Sequence, residues 1–226
     1  VRRLVLFDID GTLLSAGRVS RSALTKALVK TFGTTGEMAA YDFSGKTDPQ
    51  IVLDLMRGAG LLESRVREGL EECLGVYTKA LAEEISPENV EPKPGVADLL
   101  ERLQGEPSVC LGLLTGNLEL CARLKLGPLS FNRFFPFGAF GSDHEDRYRL
   151  PRLAVERAFH QTGLRFEGKS IVIVGDSIHD VRCGRDLSVC TVAVTTGRTS
   201  AEVLARESPD VLLPDLTEAF SSIVTP

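Results

Sequence analysis

Residues 3–12 read RLVLFDIDGT. An apolar run passes through Asp8 and Ile9 and stops at Asp10, Gly11 and Thr12. Two later stretches repeat the design. Val109 to Leu114 runs into Thr115, Gly116 and Asn117, and Ser170 to Val174 runs into Gly175, Asp176 and Ser177. Near-continuous apolar runs of this length, ended abruptly by polar residues and glycine, are the mark of strands buried on both faces, as in a parallel sheet covered by helices. Val189 to Val194 and Asp210 to Leu213 read as further strands.

Helical patterns alternate with these strands. Pro94 to Gln104 has a proline near its first turn and Gly105 at its stop, and Pro151 to Gln161 is followed by Gly163. Shorter helices are expected at Leu118 to Leu126, Ile178 to Leu187 and Ser200 to Glu207. Alternation from about residue 94 onward predicts an α/β fold, a Rossmann-like doubly wound parallel sheet. Residues 15–93 break the pattern. Ser20 to Thr31, with Ser20 as N-cap, Asp48 to Arg57 and Glu63 to Glu84 look helical, and no strand is evident among them. The expected organisation is a core of residues 1–14 and 94–226, interrupted by a helical cap domain of residues 15–93. Its hinges would lie near Leu14 to Ala16 and Glu91 to Pro94, where Pro92-Lys93-Pro94 supplies stiffness.

Composition narrows the functional classes. Asp and Glu outnumber Lys and Arg by 31 to 26 over 226 residues, a net charge of −5. That balance argues against an electrostatic nucleic-acid binder and against a polybasic membrane anchor. No apolar stretch approaches the roughly 18 to 20 residues of a membrane span. The apolar run near the N-terminus is short and interrupted by Asp8 and Asp10, unlike a signal peptide. The five cysteines form no CxxC pair and read as reduced thiols of a cytoplasmic protein. The three histidines are scattered and suggest no histidine-based metal cage.

In an open parallel sheet, ligands bind beyond the carboxyl ends of the strands. Asp8, Asp10 and Thr12 stand at the first such end, Thr115 and Asn117 at the second, and Asp176 and Asp180 at the third. Four carboxylates converging on one crevice would repel one another, and a divalent cation would relieve this. Hard oxygen donors with no adjacent His or Cys ligand set favour Mg²⁺, which takes one or two carboxylates and a phosphate oxygen. The expected ligands are Asp8, Asp10, Asp176 and Asp180, and the expected chemistry involves phosphate.

DIDGT at Asp8 to Thr12, LLTGN at Leu113 to Asn117 and GDSIHD at Gly175 to Asp180 resemble the motifs of the haloacid dehalogenase-like hydrolase superfamily. The helical insertion resembles that superfamily's C1 cap, and SGKTD at Ser44 to Asp48 resembles a cap segment of its phosphoglycolate phosphatase-like branch. The resemblance implies a phosphatase. Asp8 would be the nucleophile, and Asp10 the general acid and base whose backbone carbonyl also ligates Mg²⁺. Thr12 would orient Asp10, while Thr115 and the amides of Gly116 and Asn117 would hold the phosphoryl oxygens. Asp176 would ligate the metal, with Asp180 as a second carboxylate. One element departs from the pattern. The family's lysine before the third-motif helix is missing, because no lysine occurs between Lys125 and Lys169. Arg147 is the preferred substitute, ahead of Arg149 and of Arg152, which would already lie on the helix; an arginine cannot deprotonate and can bind phosphate bidentately.

Lys46 is a candidate substrate contact from the cap, although surface lysines are commoner. His144 is a weaker candidate, and His179 reads as surface or as a neighbour of the site. The phenylalanines at 131, 134, 135, 137 and 140 read as core packing. The leading expectation is a Mg²⁺-dependent phosphatase acting on a small phosphorylated metabolite. The alternatives are a phosphosugar mutase of the β-phosphoglucomutase type and a catalytically weak phospho-ligand-binding protein. A dehalogenase needs neither Mg²⁺ nor the acid at Asp10, and a transport ATPase needs membrane spans.

Overall fold

The computed structural model describes residues 2–225. Six parallel strands form the central sheet: β1 (Arg3–Phe7), β4 (Val109–Leu114), β5 (Gly138–Ala139), β6 (Ile171–Gly175), β7 (Cys190–Val194) and β8 (Val211–Leu213), in the order β5-β4-β1-β6-β7-β8. Strand β1 lies at the centre, pairing with β4 through Phe7 opposite Leu113 and with β6 through Phe7 opposite Val174. After β1 the chain adds β4 and β5 on one side of it and then β6, β7 and β8 on the other, a reversal that places a crevice at the carboxyl end of β1.

Side chains alternate faces along a strand, and the two cores follow that alternation. Val5 and Phe7 of β1 pack with Leu99, Leu100 and Leu103 of α4 (Val96–Gln104), Cys121 and Ala122 of α5 (Glu119–Leu126), and Ile223 of α9 (Ala219–Val224). Leu4 and Leu6 face the other way, toward Leu150, Ala154 and Ala158 of α6 (Leu150–Thr162) and Cys183 of α7 (Ile178–Cys183). Leu204 of α8 (Ala201–Arg206) packs on Val181 and Ala193 on this same side. The result is the Rossmann-like doubly wound α/β architecture that the apolar runs predict. The phenylalanine cluster is buried in these cores, as expected.

Three helices fill the interruption: α1 (Gly17–Phe32), α2 (Asp48–Gly58) and α3 (Glu63–Glu84). Their apolar faces, including Leu24 and Leu28 of α1, Val52 and Met56 of α2, and Tyr77 and Leu81 of α3, are buried. Each such leucine removed from water contributes about 1.5–3 kcal/mol. The interruption is bounded by a short antiparallel ribbon of β2 (Leu14–Ser15) and β3 (Glu91–Pro92), with Leu14 opposite Pro92 and Ser15 opposite Glu91. The two connections expected to act as hinges are thus tied to each other.

Two local expectations are corrected. Helix α1 begins at Gly17 after Ala16, so Ser20 lies inside it and is not the N-cap. Helix α4 begins at Val96, with Gly95 at the N-cap and φ 78°, so Pro94 precedes the first turn. A methyl group on Gly95 would collide with the backbone of Leu216 and Thr217, which lead into α9. The two-residue strand β5 and helix α9 carry too short a pattern to be read from sequence.

Candidate active site

The turn after β1 builds the floor of the site. The N–H of Asp8 donates to Val174 O at 3.0 Å, which continues the ladder with β6 by one residue. The chain then folds back through Ile9 to Leu14, with Leu13 N donating to Ile9 O at 2.9 Å and Gly11 N to Leu14 O at 2.9 Å. Gly11 has φ 90°, and a methyl there would strike the Asp176 carboxylate. Glycine is required both by the conformation and by the approach of the first and third motif loops.

Asp8, Asp176 and Asp180 are buried and present carboxylate oxygens within 4.8 Å of one another. Burial first, and the neighbouring charge of Asp180 second, push the Asp8 carboxyl up to about 7; Arg147 opposes the rise. Burial and the charges of Asp180 and Asp8 hold Asp176 well above the usual carboxylate range. Three acids against one guanidinium leave the cluster with excess negative charge. An all-oxygen donor set in that condition fits a hard divalent cation.

Arg147 supplies the guanidinium. It sits in a single 3-10 turn (Arg147–Arg149) before α6, and its side chain is 2% exposed. Nη2 donates to Asp8 Oδ1 at 3.1 Å, to Leu114 O at 3.1 Å and to Asp180 Oδ1. Burial works to discharge it, but the charges of Asp180 and Asp8 prevail and hold it firmly protonated. Arg149 is exposed. The structure therefore brings Arg147, among the three arginines weighed, to Asp8.

Asp180 is committed locally. Its Oδ2 accepts from Ser177 N at 2.9 Å and Ser177 Oγ at 2.7 Å, a capping box at the start of α7, while Oδ1 meets Arg147. Thr12 is fully buried and donates to Asp176 Oδ1 at 3.2 Å. The expectation that Thr12 orients Asp10 or touches substrate is therefore corrected: its hydroxyl secures Asp176, one loop away. The Asp10 carboxylate likewise lies outside the three-acid cluster. The expected convergence of four carboxylates is a convergence of three. The turn at Gly11 directs Asp10 to the opposite wall, where its side chain remains 41% exposed.

On that wall, Asn117 Nδ2 donates to Asp10 Oδ2 at 2.8 Å and to Thr115 Oγ1 at 2.8 Å. Lys125 Nζ donates to Asp10 Oδ2 at 2.7 Å and to Asn117 Oδ1 at 2.6 Å. Lys125 was not foreseen from sequence. The available signal was a lysine on the stripe of α5 that otherwise buries Cys121, Ala122 and Leu126. Burial works against its charge, but Asp10 and Asp48 raise its pKa. Asp48 was also missed, although it closes the quoted SGKTD segment. Burial pushes its carboxyl up to about 6, against the pull of Lys125 and of the Leu118 N–H that donates to Oδ2 at 2.8 Å.

The inserted helices close over this floor. Asp48 N donates to Gly116 O at 2.8 Å, and Thr47 Oγ1 donates to Glu145 O at 2.6 Å while capping α2. Arg67 grips the Glu145 carboxylate at 3.1 and 3.2 Å. The half-open cavity between them, about 290 Å³, is lined by Asp8, Asp10, Thr115, Gly116, Asn117, Arg147 and Asp176 from the core and by Arg21, Phe43, Lys46 and Tyr77 from the insertion. Lys46 reaches it, but its ammonium rests 4.0 Å above the Tyr41 ring and donates to Tyr41 Oη at 2.9 Å. His144 accepts from Asp146 N at 2.9 Å, and His179 lies 3.2 Å from Tyr148 Oη; neither lines the cavity.

A parallel α/β sheet thus carries an acid cluster, a buried arginine and a half-open cavity at its carboxyl edge. Residues 5–194 match the haloacid dehalogenase-like hydrolase family model. The chain belongs to that family. A phosphoglycolate phosphatase from Pseudomonas putida is 25% identical over 225 residues, covering 99% of this chain and 80% of that protein. Pyrophosphatase PpaX from Halalkalibacterium halodurans is 26% identical, covering 95% and 94%. Among solved structures, a predicted phosphatase from Clostridium acetobutylicum superposes with a TM-score of 0.75 at 16% identity over the whole of both chains. Among the described residues, no helix is long and apolar enough to cross a membrane.

Proposed function

We propose that this protein is a Mg²⁺-dependent phosphatase that hydrolyses a small phosphomonoester through a phosphoryl group carried on Asp8. The observation that carries this reading is the placement of the Asp8 carboxylate. It stands on the floor of a half-open cavity, with Arg147 on one oxygen and the Asp10–Thr115–Asn117 wall opposite. The membership of the hydrolase family and the phosphatase relatives support it.

Asp8 attacks phosphorus, and the bond to the leaving alkoxide breaks. Asp10, held at the exposed side of the wall, gives a proton to that oxygen. In the second half, Asp10 takes a proton from the water that attacks phosphorus; the Asp8–phosphoryl bond breaks and phosphate leaves. Thr115 and the amides of Gly116 and Asn117 hold the equatorial oxygens. Arg147 keeps Asp8 aligned and offsets the charge it shares with Asp180. Asp8, Asp176 and the carbonyl of Asp10 would hold Mg²⁺, with Asp180 behind them. When bound, the ion would supply the positive charge that lets an anionic phosphate enter an acidic crevice. Residues 15–93 act as the cap that excludes water and selects the leaving group, with Lys46 on its wall. The free thiols suit the reducing cytoplasm.

Hydrolysis of 4-nitrophenyl phosphate, with and without Mg²⁺, tests the reading. Wild-type protein should release phosphate only with the metal, and Asp8→Asn protein should lose turnover by about 1,000-fold or more. Full Mg²⁺-dependent hydrolysis by the Asp8→Asn variant sinks the mechanism. Dependence on a sugar bisphosphate without net phosphate release would select the mutase instead.

A further inference from the structure

Lys125 is a buried cation to which the mechanism above gives no task. It projects from α5 with its side chain 3% exposed. Withdrawing an ammonium from water costs several kcal/mol, and the Asp10 carboxylate at 2.7 Å offsets that cost. The second contact does something that charge pairing cannot. An ammonium only donates, so the Asn117 side-chain atom 2.6 Å away must be the amide oxygen. That contact fixes the amide. Its nitrogen is turned to the other side, where it donates to Asp10 Oδ2 and to Thr115 Oγ1, each at 2.8 Å.

The consequence reaches Thr115. Its hydroxyl oxygen already accepts from the Asn117 side chain at 2.8 Å and from the Asn117 N–H at 3.3 Å. With both acceptor positions used, the hydroxyl can make its remaining bond only as a donor. No acceptor takes that proton among the described residues, and Thr115 lines the cavity with Asp8. If the Asn117 amide turned over, its oxygen would capture the Thr115 proton and face the Asp10 carboxylate.

We infer that Lys125 is a positioning residue: acting through Asn117, it keeps Thr115 a hydrogen-bond donor toward an anion at the cavity floor and holds the Asp10 carboxylate in place. The inference rests on the proposed phosphatase reading for what Asp10 and Thr115 then do. Its geometric half concerns anion binding alone.

Orthophosphate binding in magnesium chloride, followed by titration calorimetry, tests that half. Lys125→Met and Thr115→Val should each weaken binding about tenfold, the loss of one hydrogen bond to a charged group. The double variant should bind no worse than the weaker single, because both changes remove the same donor. Additive losses, or wild-type affinity in Lys125→Met, overturn the inference. Should Lys125→Met not fold, Asn117→Leu replaces it with the same expectations and the same overturning results.

Turnover separates positioning from mere support. Lys125→Met should lower kcat/KM for an alkyl phosphate about tenfold more than for 4-nitrophenyl phosphate, whose leaving oxygen needs little help from an acid. Equal losses overturn the role assigned toward Asp10. Wild-type protein that shows the coupled phosphate binding but hydrolyses no monoester removes the phosphatase reading and leaves the Thr115 assignment standing. Wild-type protein that binds no orthophosphate overturns the assignment.

Discussion

Arg147 and Asp8 lie 139 residues apart in sequence, yet Nη2 of one donates to Oδ1 of the other at 3.1 Å in the interior of the protein. The pair joins the turn before α6 to the end of the central strand. It also draws in Asp180 from α7, so one guanidinium ties that helix to Asp8. Because all three groups are buried, the arginine affects stability and chemistry together.

Arg147→Met should therefore destabilise the protein by about 3–5 kcal/mol, the cost of leaving buried carboxylates unpaired. Arg147→Lys should recover most of that loss, since one ammonium can meet Asp8 and Asp180. Urea unfolding of the two variants reads the difference. Equal destabilisation by both would show that shape, rather than charge, matters at this position.

Metal binding should be visible without turnover. Asp176 and Asp8 are held above the usual carboxylate range first by burial and then by the charge of Asp180, a condition that a bound cation would relieve. Mg²⁺ at 100 times its dissociation constant should stabilise the wild-type fold by about 2.7 kcal/mol. Asp176→Asn should show no such gain in a thermal melt, and an undiminished gain would remove Asp176 from the site.

Asp48 gives a pH dependence with a defined sign. Its carboxyl is pushed up to about 6 in the folded protein, by burial, against about 4 when unfolded. Between these values the unfolded chain releases a proton that the native state keeps. Stability therefore falls as pH rises through that window, by up to about 3 kcal/mol. Asp48→Asn should match wild type near pH 4 and exceed it near pH 8 in metal-free protein. An Asn variant weaker than wild type at pH 8 would mean that attraction to the Lys125 charge outweighs the cost of burial.

The contact of the 44–48 segment with the core depends on a glycine. Gly45 has φ 66°, and a methyl there would collide with Ser177 Oγ and the His179 side chain. Gly45→Ala should hold the 44–48 segment off the core and lower kcat/KM by about 100-fold. Its cost in stability should stay within about 1–2 kcal/mol. A variant with wild-type kcat/KM would separate this contact from catalysis.

Long periodic segments were fully legible before any coordinates. Glu63–Glu84 is the helix that its pattern predicts, and Val109–Leu114 is the expected strand. The acids at the strand ends were legible for a related reason: a parallel sheet sends each strand's C-terminal residue to the same edge. Arg147 was singled out by the absence of a lysine, a gap in a linear pattern. Thr12 was misread because its partner is chosen by loop packing: its hydroxyl donates to Asp176, just after β6.

RLVLFDIDGT thus carried the sheet, its burial on both faces and the position of Asp8 at the strand end, because strand periodicity and strand ends are local properties of the chain. The opposite wall was not local. Lys125 reads in sequence as one more charge on a short helix, and Asp48 as an ordinary first-turn acid. Each acquires meaning only where α5, the turn after β1 and the start of α2 exclude water from the same few ångströms. There an ammonium must find an acceptor, and its partners determine which way an amide faces.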